Sequence, residues 1–256
     1  MVLVAKVVKS KKLILVFHYF CGTLKKYIYM KWSEFFTSSV GKKFIMGLTG
    51  ISLIAFLVVH VGLNACIWAN DHGVMFNKAA HFMGATIVVR ILEVGLFVGI
   101  FLHAIQGLVL TAQNNKRRAV GYAVPMGNKG SRWYSRWMGL LGTLILLFMI
   151  LHWWHFFIPS RFTGVEEVFI DNKPYHDLYG LMLITFSSWW VVIVYVLGCI
   201  SLAYHLMHGF HAAFRSLGLS NSRYLHILQS TGIGFAIIVP AAFAMMPLSI
   251  ILGWIS

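Results

Sequence analysis

At 256 residues, 59% hydrophobic and with a mean hydropathy of +0.78, the chain has too little polar surface to hydrate a soluble fold, whose apolar share is nearer half. The formal net charge of +14 comes from 21 Lys and Arg against 7 Asp and Glu. Those basic residues fall in short connections rather than on a folded basic face, which argues against a nucleic-acid partner.

Residues 1–40 are basic and aromatic, and their apolar run, 13–20, is too short to cross a bilayer. They read as a cytoplasmic N-terminal extension at the membrane interface. A signal peptide is disfavoured because the small-residue cleavage pattern is missing. Met30, ahead of "KWSEFFTSSVGKK", is a candidate natural start.

Residues 41–256 read as one all-α integral membrane domain. Five stretches lack Asp, Glu, Lys and Arg: 44–68, 94–115, 137–160, 178–214 and 224–256. About twenty apolar residues cross the hydrocarbon, and no segment alternates with the period of a β-barrel strand. Trimmed by Gly and turn residues, they predict transmembrane helices at about 43–69, 84–113, 134–158, 183–213 and 229–254. Pro240 and Pro247 predict a kink in the fifth.

Nine Lys/Arg lie in residues 1–43, six in 113–136, and Arg215 and Arg223 flank the fourth connection. The other side holds Lys78, Arg90, Arg161 and Lys173. The Lys/Arg-rich side is expected to be cytoplasmic, with the N-terminus inside and the C-terminus outside. Cys21, Cys66 and Cys199 form no Cys-x-x-Cys-His, so covalent haem attachment is unsupported.

Two internal similarities organise the domain. "GLTGISLIAFLVVH" (47–60) and "GLLGTLILLFMILH" (139–152) align without gaps and end on His60 and His152. At about 1.5 Å per residue, these lie roughly 26 and 24 Å from the inner charges, in the outer half. "HAIQG" (103–107) and "HLMHG" (205–209) share His-x-x-x-Gly on the second and fourth helices. His103 and His205 lie roughly 20 and 15 Å from the inner charges, nearer the inside.

An imidazole inside a bilayer is costly unless paired or liganded. One such histidine could be a donor between helices; four, paired by depth and direction, argue for a cofactor. Zinc would want three or four ligands at one point, whereas haem brings four equatorial nitrogens and needs only two axial ones. The pattern therefore predicts two bis-histidine haem b groups inside a four-helix bundle, with a fifth helix beside it. His60 and His152 would hold the outer haem, His103 and His205 the inner, and His208 is the rival to His205. Gly50, Gly107, Gly142 and Gly209 would let a macrocycle approach the backbone, or serve close helix packing.

His155, His208 and His211 could meet propionates or a quinone, or bond between helices. His72, His81 and His176 fall in outer connections, and His18 and His226 near the inner surface. Arg90 and Glu93, one turn apart, are either a neutralised structural pair or a propionate and proton site serving a quinone.

With "TG" ten residues before His60, the same Gly-to-His spacing at His152, His103 in the second helix and "YHLMHG…LG" in the fourth, the chain resembles a known family over residues 30–256. It is similar to the cytochrome b membrane anchor of succinate:quinone oxidoreductases (succinate dehydrogenase/fumarate reductase), in the single-chain, five-helix, two-haem b558 class. The resemblance implies the ligand pairing given above and favours His205 over His208, through Gly209 and Gly218. It also implies flavoprotein and iron–sulfur subunits on the cytoplasmic face of a bacterial inner membrane, with electrons passing to or from a quinone, usually menaquinone. Some fumarate reductases of this class carry a glutamate two residues from the fourth-helix ligand. Here Ala203 and Met207 stand there, which leaves a proton path along that helix doubtful and the direction of catalysis open. The alternatives are the dihaem cytochrome b of a hydrogenase, formate dehydrogenase or b561 system, and a histidine-based proton-coupled transporter. The chain's short length and the lack of an inverted repeat with broken helices count against the transporter.

Overall fold

A computed structural model describes residues 32–117 and 133–255. The apolar run 13–20, Met30, His18, Cys21 and much of the 113–136 connection lie outside the described residues.

Two units are distinguished, residues 1–45 and 46–256. In the first, the short helix α1 (Trp32–Thr37) leads into the start of α2 (Ser39–Asn64). Ser38 joins them, its hydroxyl donating to the Phe35 carbonyl at 2.6 Å and accepting from the Gly41 amide at 3.0 Å. Only glycine fits at Gly41, because a Cβ there would run into the Phe35 carbonyl.

The second unit is helical; among the described residues five helices are long and apolar enough to cross a membrane, the first of them beginning within the first unit. After α2 come a 3-10 turn (Ala65–Ala69), α3 (Val74–Ala85), α4 (Ile87–Arg117), α5 (Trp133–Arg136) and α6 (Met138–His152). Two π-helical turns, Trp153–Phe157 and Pro159–Thr163, prolong α6. Then follow β1 (Glu167–Ile170), β2 (Lys173–His176), α7 (Leu178–Thr185), α8 (Trp189–Ser216) and α9 (Leu225–Ile251). The spanning segments are Ser39–Ala69, Ile87–Asn114, Met138–Thr163, Trp189–Ser216 and Leu225–Ile251. Their exposed side chains are mostly apolar, Ile91, Leu92, Ile193 and Ile238 among them. Such a surface is stable against lipid tails and not against water. The chain is a multi-pass membrane protein.

Three departures from the expected boundaries have local causes. The second span starts at Ile87, not 84, because Thr86 turns extended (ψ 125°) and closes α3. Thr86 Oγ1 donates to the Phe82 carbonyl and Arg90 Nε to the Gly84 carbonyl, both at 2.8 Å, satisfying orphan carbonyls of α3. The third span runs past 158 to Thr163 in the wider π form, which relieves the clash Pro159 would make with the preceding turn. The fourth begins at Trp189 instead of 183, since the apolar run is split between α7 and α8. Pro240 and Pro247 lie buried inside the fifth helix, Leu225–Ile251.

Between the third and fourth spans lies an antiparallel hairpin, β1–β2, with Ile170 opposite Lys173. Asp171 and Asn172 make its two-residue turn at φ 52° and 61°, the left-handed conformation that such turns require and Asp and Asn tolerate. We call this the hairpin end of the bundle. Asn77 fastens α3 there, donating to Asp177 Oδ1 and accepting from the Tyr179 amide, both at 2.9 Å. Beneath it is the main apolar core, built on Ile67, Phe186, Val192, Tyr195, Met246 and Ile250.

Candidate functional site: two histidine pairs on a repeated helix bundle

The sequence repeat is also a repeat of contacts. Gly47 and Gly139 each mark a close helix crossing. A Cβ at Gly47 would lie 3.0 Å from the Ala213 carbonyl oxygen of α8, and one at Gly139 would lie 2.6 Å from Thr111 Cγ2 of α4. Gly50 faces the His103 ring and Gly142 the His205 ring, each with a virtual Cβ 3.7 Å from Cε1. Gly107 faces Met46 Cε at 3.2 Å, and Gly209 faces Met138 Cε at 3.4 Å. These contacts interchange when α2 is exchanged with α6 and α4 with α8, so an approximate two-fold relation connects the two helix pairs.

The histidines meet across that relation. His60 and His152 have ring centres 5.9 Å apart, with their planes at 88°. His103 and His205 have ring centres 6.1 Å apart at 65°. A bond of about 2.0 Å from each imidazole nitrogen to a shared ion, plus about 1.1 Å from nitrogen to ring centre, places two ring centres about 6 Å apart. Each pair therefore has the ring-centre separation of two imidazoles on one metal, which is also within the ordinary range for neighbouring aromatic rings. Among the described residues, no three His, Cys, Asp or Glu side chains converge to hold an ion by themselves.

Aromatic packing frames the pair nearer the hairpin. Phe56 stacks on His60 at 5.0 Å and its counterpart Phe148 on His152 at 5.8 Å, one helical turn before each. Phe243 of α9 also approaches His60, at 5.4 Å.

The second nitrogens differ. His103 Nδ1 lies 3.2 Å from Thr49 Oγ1, within hydrogen-bond reach. Asn64 Nδ2 donates to the His60 carbonyl at 2.8 Å and stands 3.4 Å from His60 Nδ1, too long to fix a tautomer. His152 Nδ1 and His205 Nδ1 are buried without a hydrogen-bond partner among the described residues. An unmet buried nitrogen costs about 1–3 kcal/mol, and the repeat accounts for the one on His205. Where α2 has Thr49 and Asn64, α6 has Leu141 and Phe156 in the same register.

The Arg90–Glu93 pairing does not form as a one-turn ion pair. Arg90 Nε bonds to the Gly84 carbonyl, and Arg161 Nη2 donates to Glu93 Oε2 at 2.8 Å. Arg161 reaches Glu93 because the π-turns carry it round to face α4, a geometry no regular helix periodicity announces. Among the described residues, the histidine ring that meets His103 is that of His205, not His208. His155 instead meets Tyr195, with Nδ1 3.0 Å from the hydroxyl and the rings stacked at 9°. That pair was missed in the sequence. Its one signal is that Tyr195 follows the start of an otherwise aliphatic run. His211 Nε2 and Gln106 Nε2 are buried without partners among the described residues, whereas His72, His81, His176 and His226 are exposed.

Comparison with protein-family models, with curated proteins and with solved structures found no match.

Proposed function

We propose that the chain is the dihaem cytochrome b membrane-anchor subunit of a succinate:quinone oxidoreductase, set in a bacterial inner membrane with its N-terminus cytoplasmic. The observation that carries this reading is the spacing of the two histidine pairs, each suited to one metal and each straddling the two-fold relation of the bundle. Two imidazoles at that spacing would suit a haem, which needs only two ligands from the protein. The orphaned Nδ1 atoms fit the same reading: a histidine kept in an apolar interior at the expense of a hydrogen bond is kept for its other nitrogen.

His60 and His152 would hold the haem at the hairpin end, and His103 and His205 the other. Haem, when bound, supplies a one-electron redox centre in a dry interior. The chain's own residues orient the ligands: Phe56 and Phe148 hold the hairpin-end rings by stacking, and Gly50 and Gly142 leave His103 and His205 room to face inward. The Glu93 carboxylate, held by Arg161 near the hairpin end, is the candidate for exchanging protons with a bound quinone, probed below. Arg90 braces the joint between α3 and α4. Flavoprotein and iron–sulfur subunits would dock on the opposite, basic end, and the quinone would be menaquinone.

Purification from its own membrane in mild detergent tests the assignment. Two non-covalent haems per chain, copurifying with a flavoprotein and an iron–sulfur protein that oxidise succinate, are expected. Two haems with hydrogenase or formate dehydrogenase subunits would assign it to another respiratory complex. No haem in the assembled protein would favour the transporter and end the reading.

A further inference from the structure

We propose that Thr49 is the positioning residue of the His103–His205 pair, making its two ligands unequal: among the described residues, the second nitrogen of His103 has a hydroxyl partner and that of His205 has none. The proposal rests on the haem reading above.

Thr49 is buried on α2, and its hydroxyl lies 3.3 Å from the Met46 carbonyl and 3.2 Å from His103 Nδ1. With its proton given to the carbonyl, the hydroxyl oxygen accepts from Nδ1–H. That leaves the lone pair of His103 on Nε2, the tautomer a metal needs. Such a bond to the far nitrogen also fixes the ring's orientation and raises its basicity.

His205 stands in the same relation to α6. Gly142 meets its Cε1 as Gly50 meets that of His103, yet Leu141 occupies the place of Thr49 and the His205 Nδ1 has no partner. Two ligands that the repeat would make equivalent are separated by one hydroxyl.

The test uses the assembled complex in detergent, with haem counted per chain, each haem's midpoint potential titrated, and low-temperature EPR of the oxidised haems. Thr49→Val keeps the side chain's shape and removes the hydroxyl. It is expected to weaken retention of the His103–His205 haem about 10- to 100-fold, the usual effect of losing such a partner. The potential of whatever haem remains there should rise, because a less basic ligand stabilises ferric iron less. The EPR signal and potential of the other haem should not move.

Thr49→Ser restores the hydroxyl and should restore both readouts. Leu141→Thr supplies His205 with the missing acceptor and should lower the same potential. An unchanged potential and full retention in Thr49→Val would overturn the proposal, as would Thr49→Ser behaving like Thr49→Val. A wild-type complex with no haem would overturn the haem reading and this proposal with it, whereas two haems insensitive to Thr49 would overturn this proposal alone.

Discussion

A buried imidazole with an unbonded nitrogen destabilises the protein that contains it, and this turns the assignment of His152 into a measurable conflict between stability and binding. His152→Leu removes the unmet Nδ1 and leaves an apolar side chain among Phe148, Phe156 and Tyr195. The chain freed of cofactor should then unfold at least as high as wild type, gaining up to about 1–3 kcal/mol, while the loaded protein loses its hairpin-end haem. Thermal unfolding with and without haem reads both, and a variant less stable in the unloaded state would mean that His152 serves packing. Glu93 divides the same way: Glu93→Gln should slow quinone-linked turnover while leaving haem content intact. Unchanged turnover would return the Glu93–Arg161 pair to structure. The histidines could be read from the sequence because few residues so polar occur in apolar runs. Their partners could not, since Thr49 and Asn64 look like ordinary polar residues until the fold sets them against particular nitrogens.

At the scale of helices, the existence of the five spans followed from length and apolarity, whereas the joints between them depended on single backbone contacts. The break at Thr86 is held by Arg90, which periodicity suggests for Glu93 instead, and the widened turn after His152 answers to Pro159. The β1–β2 hairpin did leave a trace, Asp-Asn between two short strand-like runs, but four-residue strands are too brief to stand out from a loop. Gly198 shows how closely one helix constrains another. A Cβ there would lie 2.7 Å from the Phe148 ring, which stacks on His152. Gly198→Ala should therefore perturb the spectrum of the hairpin-end haem and spare the other, and equal changes in both would refute the packing account. The hairpin itself is tied to α3 by Lys78 Nζ and Asp171 Oδ2 at 2.7 Å, in the open. That bond holds the Asp171 carboxyl below its ordinary value and Lys78 above its own. A depressed carboxyl contributes stability above its unfolded pKa and loses it as pH falls through the folded one, so any contribution fades in acid. Exposed pairs give little; Asp171→Asn should leave the unfolding temperature near neutral pH almost unchanged.

For the whole molecule, the two-fold relation joins sequence to function. Gly, Phe and His recur in one register along α2 and α6, and His-x-x-x-Gly recurs on α4 and α8. The folded chain then sets each repeated histidine opposite its own counterpart. Pairing by depth could be reasoned from the sequence; the nearly equal ring separations of 5.9 and 6.1 Å could not. The repeat also shows where the two halves have diverged, at Thr49 against Leu141 and Asn64 against Phe156. Which histidines share a haem is the claim on which the account depends, and haem counting in double variants tests it most directly. Replacing His60 should remove one haem, replacing His60 and His152 together should still remove only one, and replacing His60 and His103 together should remove both. Loss of both haems from the His60 and His152 double variant, with the chain still folded in detergent, would contradict the pairing.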